Sequence, residues 1–130
     1  MPEIAAGIDL CEICRMDGMT ENARFLSRIL TPDEIAYLET KGSTKSQTLA
    51  GFWAAKEAVL KALGTGLAIP MREVEIIHIP SGAPRCVLHG QAFEAAGHGS
   101  VAVSITHEAG IAAAVAVMIR EEDGTHEPER

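Results

Sequence analysis

The feature that most constrains the fold of this chain is a long helical pattern from Ser46 to Leu63. Apolar residues recur along it at helical spacing, with Trp53 and Leu60 on the apolar side. Gly64 and Gly66 follow directly, and glycine is the residue that most often ends a helix. The pattern predicts one long central helix around which the rest of the fold is arranged.

The segments before this helix predict a strand and two shorter helices. Thr31 has the pattern of a helix N-cap, because Pro32 follows it at the first turn and Glu34 stands three residues after it. Gly7, in the first segment, allows another element to approach closely. The predicted elements are a buried strand over Ile4–Leu10, a helix from about Thr20 to Leu30, and a helix from Pro32 to about Thr40.

The second half of the chain changes to the period of β-structure. Its last two apolar runs are separated by His107–Gly110, which predicts a hairpin with glycine in its turn. Because strands and helices do not alternate strictly, we predict an α+β fold with a small antiparallel sheet, the long central helix and short helices. The predicted elements are strands over Val74–Ile79, Arg85–Leu88, Val101–Thr106 and Ile111–Ile119, and a helix over Gln91–Ala96.

Composition limits the size and the partners of the protein. The 130 residues and 47% hydrophobic content are typical of one globular domain, and no apolar run approaches the ~20 residues of a membrane span. The net charge is −7, and five acidic residues against two arginines lie between Arg120 and Arg130. We therefore predict a cytoplasmic protein with one domain over residues 1–119 and an acidic flexible tail over 120–130. Neither nucleic acid nor a membrane is an expected partner.

The three cysteines are an odd number and a poor basis for a disulfide framework, so we expect reduced thiols at Cys11, Cys14 and Cys86. The CxxC spacing of Cys11 and Cys14 also occurs in zinc and redox sites. A structural zinc site requires a second pair of ligands, and none is near the five scattered histidines. The zinc or redox interpretation is the weaker one.

Two carboxylates and a lysine are the residues best suited to chemistry. Glu57 borders the apolar side of the long helix, where burying a charge is costly unless a cation compensates. Spacing alone favours an ordinary ion pair with Lys61, four residues on. Asp9, taken singly, is an ordinary turn former at the end of the first strand. Paired in space with Glu57, it would suit Mg²⁺, which proteins hold with one or two carboxylates together with substrate phosphates.

The loop Gly64–Thr65–Gly66 at the end of the long helix has two interpretations. Its glycines can turn backbone N–H groups toward an anion such as a phosphate. A helix cap alone also explains them, because glycine commonly supplies one.

The stretch WAAKEAVLKALGTG at 53–66 is the most specific motif of the chain. It resembles the holo-acyl-carrier-protein synthase family, which are small phosphopantetheinyl transferases. The resemblance runs in collinear order from about residue 4 to 119. It also includes Gly7–Asp9 followed by Arg15, Phe25–Leu26 with Leu30–Thr31, and Ser104–His107.

The resemblance implies Mg²⁺-dependent transfer of phosphopantetheine from coenzyme A to a serine of apo acyl carrier protein, with release of adenosine bisphosphate, in support of fatty acid biosynthesis. It implies that Asp9 and Glu57 ligate the metal and that Lys61 approaches the diphosphate, which makes these three the catalytic set. Glu57 or a water on the metal would accept the serine proton. The residues implied in coenzyme A binding are Lys45, Lys61, Gly64, Thr65, Gly66, Thr106 and His107.

One position departs from the family pattern. Many relatives have arginine directly before the aromatic-Ala-Ala-Lys-Glu motif, where this chain has Phe52. Phenylalanine cannot pair with a phosphate. The ribose phosphate of coenzyme A would therefore be held more weakly, or by Lys45, Arg85 or His107.

The resemblance also implies partners. Arg15, Arg24 and Arg28 would receive the acidic recognition helix of an acyl carrier protein, although a solvated face or pairing with Glu21 also explains Arg24 and Arg28. A homotrimer with active sites between subunits is implied, and the small apolar residues of Ile111–Val117 offer an interface. A fully buried core strand in a monomer is the alternative.

Two other functions compete with the transferase. One is a catalytically inert module that binds coenzyme A or a carrier protein. The other is a magnesium-dependent phosphohydrolase in which water is the nucleophile. The intact set of Asp9, Glu57 and Lys61 argues against the inert module, since loss of a metal ligand would be its simplest mark.

Overall fold

A computed structural model describes residues 2–121 of the chain. Short 3-10 turns lie at Ile13–Met16, Gly42–Thr44, Gly66–Ala68 and Met71–Glu73. Within this part of the chain, no helix is long and apolar enough to cross a membrane. The helices and strands are β1 (Pro2–Glu12), α1 (Ala23–Ile29), α2 (Pro32–Glu39), α3 (Lys45–Leu63), β2 (Val74–His78), β3 (Pro84–Leu88), α4 (Gly90–Ala96), β4 (Ser100–Glu108) and β5 (Ile111–Glu121).

The strands form two antiparallel sheets. β5 lies in the centre of a three-stranded sheet, with β1 on one side and β4 on the other, and β2 pairs with β3 in a two-stranded sheet. The register places both Asp9 of β1 and Ile105 of β4 opposite Ala114 of β5. This arrangement confirms the predicted α+β fold with a long helix and small antiparallel sheets.

Small residues allow α3 to lie close against the three-stranded sheet. Gly7 of β1 lies directly against the backbone of α3. A Cβ atom there would lie 2.8 Å from the backbone nitrogen of Ala62, 2.9 Å from Cβ of Lys61, and closer still to the carbonyl oxygen of Ala58. Glycine at position 7 is therefore a condition for this packing distance.

Side-chain caps fix the starts of α1 and α2. Thr31 and Glu34 form the predicted capping box: Thr31 Oγ1 accepts from the N–H of Glu34 at 3.2 Å, and Glu34 Oε1 accepts from the N–H of Thr31 at 2.8 Å. α1 starts later than the predicted Thr20. Asn22 is extended and its side chain accepts from the N–H of Phe25 at 3.0 Å, which fixes the start of the helix at the next residue, Ala23.

The prediction that the first strand is buried is wrong for one of its faces. Gly7 and Cys11 are buried, whereas Ile4, Ile8 and Leu10 are 66%, 63% and 60% exposed. Successive side chains of a strand point to opposite faces, and α3 covers only one of them. The apolar outer face is thus uncovered in the single chain.

The hairpin between β4 and β5 is tighter than the predicted turn over His107–Gly110. His107 and Glu108 belong to β4, so the turn consists of Ala109 and Gly110 alone. Their φ angles of 55° and 80° are those of a type I′ turn. Ala109 therefore adopts a left-handed conformation that is strained for a residue with a Cβ atom.

β5 extends to Glu121, two residues past the predicted end of the domain. Arg120 holds this end of the strand, because its Nε lies 3.1 Å from Glu3 Oε1 and its Nη1 donates to the carbonyl of Ala95 at 3.0 Å. The rest of the predicted acidic tail, residues 122–130, lies outside the described residues.

Candidate active site

The contact between Gly7 and α3 brings the three predicted catalytic residues together. Asp9 lies two residues after Gly7, on the same face of β1. Lys61 Nζ is 3.2 Å from Asp9 Oδ1 and donates to the carbonyl of Ile8 at 2.9 Å. Glu57 lies one helical turn before Lys61 and lines the same cavity.

The electrostatics of Glu57 show that Asp9 is near. Burial raises the pKa of Glu57 and the charge of Asp9 raises it further, while Lys61 and Arg15 act in the opposite direction. Among residues 2–121, no ion pair joins Glu57 to Lys61, because Lys61 binds Asp9 instead. The ordinary pair along the helix that spacing favoured is therefore replaced by a contact between α3 and β1.

The two carboxylates have the chemistry of a magnesium site. In the described part of the chain, no group of three or more His, Cys, Asp or Glu side chains could hold a metal ion. Mg²⁺ does not need such a cage, since it typically takes one or two carboxylates and completes its shell with water and phosphate oxygens. Burial is the main cause of the raised pKa of Glu57 and repulsion from Asp9 adds to it, and a cation between the two carboxylates would relieve that repulsion. The pair fits Mg²⁺ on this ground.

A cavity of about 260 Å³ lies beside these residues, lined by Glu57, Leu60, Lys61, Gly66 and Leu67. Gly64 ends α3 with a φ of 77°, and Gly66 continues the loop with a φ of 59°. Thr65 Oγ1 is buried without a hydrogen-bond partner among the described residues, a costly state that a phosphate oxygen would relieve. The predicted Gly64–Gly66 loop therefore borders this cavity, with Gly66 in its lining.

The remaining residues predicted to bind coenzyme A lie elsewhere on the chain. His107 lines a second cavity, of about 300 Å³, which shares no lining residue with the first. Thr106 is opposite Ala113 and faces the other side of the sheet from His107. Lys45 is paired with two carboxylates, at 3.1 Å and 3.0 Å. Within one chain, the structure does not bring Lys45, Thr106 and His107 to Glu57.

Phe52 forms part of the wall of the second cavity. Its ring packs edge-on against Tyr37 and His78 at centroid distances of 6.1 Å and 5.8 Å, and those two rings stack at 4.3 Å. Lys41 Nζ lies 4.4 Å from the centre of the Tyr37 ring and also lines the cavity, whereas Arg85 does not. Sequence reasoning missed Lys41 because it stands in the break between two helices, outside any motif.

The three predicted docking arginines are exposed. Arg24 and Arg28 lie on α1, which is joined to α3 by an aromatic stack, and Arg15 lies in the preceding turn. Among residues 2–121, none of the three has a carboxylate oxygen within 4.0 Å, and Glu21 binds a lysine instead. The predicted alternative of pairing with Glu21 is therefore wrong.

Comparison with known proteins decides the family. Residues 5–116 match the model of the 4′-phosphopantetheinyl transferase superfamily. The chain belongs to this family. It is 40% identical over 120 residues to the holo-[acyl-carrier-protein] synthase of Moorella thermoacetica, covering 88% of this chain and 93% of that protein.

Solved structures agree with this assignment. The chain is similar to the Helicobacter pylori holo-[acyl-carrier-protein] synthase in complex with coenzyme A, with a TM-score of 0.76 and 34% identity over 87% of this chain and 98% of that one. It is also similar to a holo-(acyl-carrier-protein) synthase from Bacillus anthracis in complex with CoA, with a TM-score of 0.76 and 31% identity over 90% and 96% of the two chains. These matches confirm the predicted family, the fold and the class of enzyme.

This phosphopantetheinyl transferase also contains a buried ion pair that sequence reasoning missed. Lys56 is fully buried, and its Nζ lies 2.9 Å from Glu34 Oε1. The capping box with Thr31 already explained Glu34, so nothing in the pattern indicated a second partner. The available signal was Lys56 itself, a charged residue that follows the apolar run Phe52–Ala55 of the long helix.

Proposed function

We propose that this phosphopantetheinyl transferase moves the phosphopantetheine group of coenzyme A to a serine hydroxyl of apo acyl carrier protein, with Mg²⁺ as cofactor. The convergence of Asp9, Glu57 and Lys61 beside one cavity carries the proposal. The names of similar proteins include the carrier protein, and two similar structures are complexes with coenzyme A. Adenosine 3′,5′-bisphosphate is the proposed second product, and fatty acid biosynthesis in the cytoplasm is the proposed setting.

The proposed step replaces a phosphoanhydride bond with a phosphoester bond. The serine oxygen attacks the phosphorus that carries the pantetheine arm and forms a new P–O bond. The bond between that phosphorus and the bridging oxygen of the diphosphate breaks. The bridging oxygen leaves with the electron pair on adenosine 3′,5′-bisphosphate, and the serine proton passes to Glu57 or to a water in the site.

The residues of the site divide this work. Lys61 donates to the diphosphate and stabilises the charge that develops on the leaving oxygen. Its side chain is 55% exposed, so it can turn from Asp9 toward a bound phosphate. Mg²⁺ held by Asp9 and Glu57 would neutralise diphosphate charge. Positioning and charge stabilisation of this kind are the main sources of acceleration in phosphoryl transfer.

A mass measurement tests the function. The protein is incubated with coenzyme A, Mg²⁺ and apo carrier protein, and the carrier is weighed by mass spectrometry. A gain equal to phosphopantetheine supports transfer. An unchanged carrier with bound coenzyme A would identify the inert module, and breakdown of coenzyme A without transfer would identify the phosphohydrolase.

Substitution of the carboxylates tests the metal assignment. Asp9→Ala and Glu57→Ala should each abolish transfer, and the double variant should resemble either single variant, because both residues act through one ion. Nearly full activity of Glu57→Ala at ordinary Mg²⁺ concentrations would contradict the assignment.

We also propose that the enzyme works as a homotrimer with active sites between subunits. The exposed apolar face of the three-stranded sheet, which includes Ile8, Val115 and Ile119, supports self-association. The alternate residues of β5, among them Ala114 and Ala116, are buried and unavailable for an interface. A second copy would also allow the two separate cavities to face one ligand. Light scattering tests this, and an active species of 13.8 kDa would contradict it.

A further inference from the structure

Lys56 is completely buried, and its ammonium group has three hydrogen-bond acceptors. Its Nζ lies 2.9 Å from Glu34 Oε1 and 3.1 Å from the carbonyl oxygen of Met71, and it also donates to the carbonyl of Val74. An ammonium group has three N–H donors, so each of them has a partner.

Glu34 is equally well bound. Its Oε1 also accepts from the N–H of Thr31 at 2.8 Å, and its Oε2 accepts from the N–H of Ile76 at 2.7 Å. Burial lowers the pKa of Lys56 and raises that of Glu34, whereas the attraction between the two opposes both shifts. A buried pair of this kind seldom adds stability over apolar residues of the same size, so a role in fixing geometry is the more informative explanation.

The pair fixes α3 to the segment that returns from its own end. The chain leaves the helix at Gly64, forms the loop 64–70, and enters the 3-10 turn Met71–Glu73. Lys56 donates to the carbonyls of Met71 and Val74, at the two ends of that turn. Gly66 and Leu67 of that loop line the cavity beside Glu57. Lys56 and Glu57 are neighbours in sequence, so the same turn of helix anchors the loop and presents the catalytic carboxylate.

We propose that the Lys56–Glu34 pair positions the loop 64–70 beside the cavity in which coenzyme A binds. The assignment of coenzyme A to that cavity rests on the proposed function. Gly64 and Gly66 give the loop backbone freedom, and the anchor at Met71 limits the conformations that this freedom allows. Lys56 and Glu34 are positioning residues, and their loss should weaken coenzyme A binding rather than use of the carrier protein.

The test replaces the pair without leaving a charge buried. Lys56→Met combined with Glu34→Gln keeps similar side-chain volumes and removes both charges. Met118→Ala is the matched control, because Met118 is buried in β5 opposite Ala5 and Val101 and takes no part in the hydrogen bonds of Lys56 and Glu34. The measurement is the ¹⁵N order parameters of the backbone amides of residues 64–69, together with coenzyme A affinity by calorimetry.

In the parent protein we expect loop order parameters near those of rigid backbone, ~0.85, and in the double variant values under ~0.6. The dissociation constant of coenzyme A should rise at least tenfold, while the Michaelis constant for carrier protein stays within twofold. If the double variant does not fold, Lys56→Met alone should lower the order parameters of the same loop residues, because it removes both bonds to the carbonyls of Met71 and Val74 while Glu34 keeps the N–H groups of Thr31 and Ile76 as donors.

Three results would overturn the positioning role: a loop that is already mobile in the parent, a loop that stays ordered in the variants, or an equal loss of order in Met118→Ala. A parent protein that binds no coenzyme A would instead contradict the proposed function. The order parameters would still decide the positioning role in that case.

Discussion

Replacing Gly7 with alanine should separate β1 and α3, the two elements that form the proposed active site. The added Cβ would lie within 2.9 Å of Lys61 Cβ and 2.8 Å of the Ala62 nitrogen, and still closer to the carbonyl oxygen of Ala58. Two of these three are backbone atoms, which cannot rotate away as the end of a flexible side chain can. The strand and the helix must therefore move apart.

These contacts set the size of two losses, one in the free energy of unfolding and one in the rate of transfer. Ordinary van der Waals contact begins at 3.4 Å, so α3 must retreat from β1 by about 1 Å. Overpacking a core typically costs about 1–3 kcal/mol, and a clash with helix backbone belongs at the upper end of that range. A misplacement of about 1 Å at a reacting centre can reduce the rate about 100-fold, and here it separates Asp9 from Lys61 and Glu57.

Urea unfolding and the carrier mass assay measure the two effects. Gly18→Ala is the control, because a Cβ atom at Gly18 meets no atom within 4 Å and should change neither stability nor transfer. The reasoning is refuted if the free energy of unfolding of Gly7→Ala lies within 1 kcal/mol of the parent value and its rate of phosphopantetheine transfer lies within twofold of the parent rate.

Three further predictions concern other parts of the molecule. The pKa of Glu57 is raised in the folded protein, so its ionised carboxylate costs stability once the pH rises through that pKa. Glu57→Gln removes this cost. In magnesium-free buffer it should therefore raise the Tm at neutral pH and leave it unchanged below about pH 4, where the carboxyl is protonated. A lower Tm at neutral pH would contradict this. Ala109→Gly should stabilise the protein by about 0.5–1 kcal/mol in urea unfolding, because glycine tolerates the positive φ, and no gain would argue against strain in the turn. Arg24→Glu with Arg28→Glu should raise the Michaelis constant for carrier protein tenfold or more at low salt, because each reversal costs about 1 kcal/mol of attraction to the carrier. Coenzyme A affinity should be unchanged. Equal use of carrier at low salt would place the docking face elsewhere.

Local signals in the sequence predicted the parts of the fold that depend on neighbouring residues. Thr31 and Glu34 are three apart and fix the start of α2, and Gly64 fixes the end of α3. Each of these involves contacts within one turn of chain, which spacing alone can specify.

Features that depend on tertiary packing were harder to predict from the sequence. The apolar residues of β1 predicted a buried strand, but Ile8 is exposed because α3 covers only one face of the sheet. Lys56 and Glu34 are separated by 22 positions, and no periodic pattern relates them. His107 and Lys61, both predicted to bind coenzyme A, line different cavities within one chain, and their joint role stays a prediction that depends on the proposed assembly.

The pairing of β1 with β5 has a consequence for synthesis of the chain. Pro2 pairs with Glu121 and Glu12 with Ile111, so β1 has no partner strand until β5 has been made. At ~5–20 residues per second, the intervening segment takes about 5–20 s to translate. During that time Ile4, Ile8 and Leu10 lie in an unpaired apolar strand, the kind of segment that aggregates or binds chaperones. Asp9 pairs with Ala114 of β5, so under the proposed function a nascent chain that ends before β5 should be inactive.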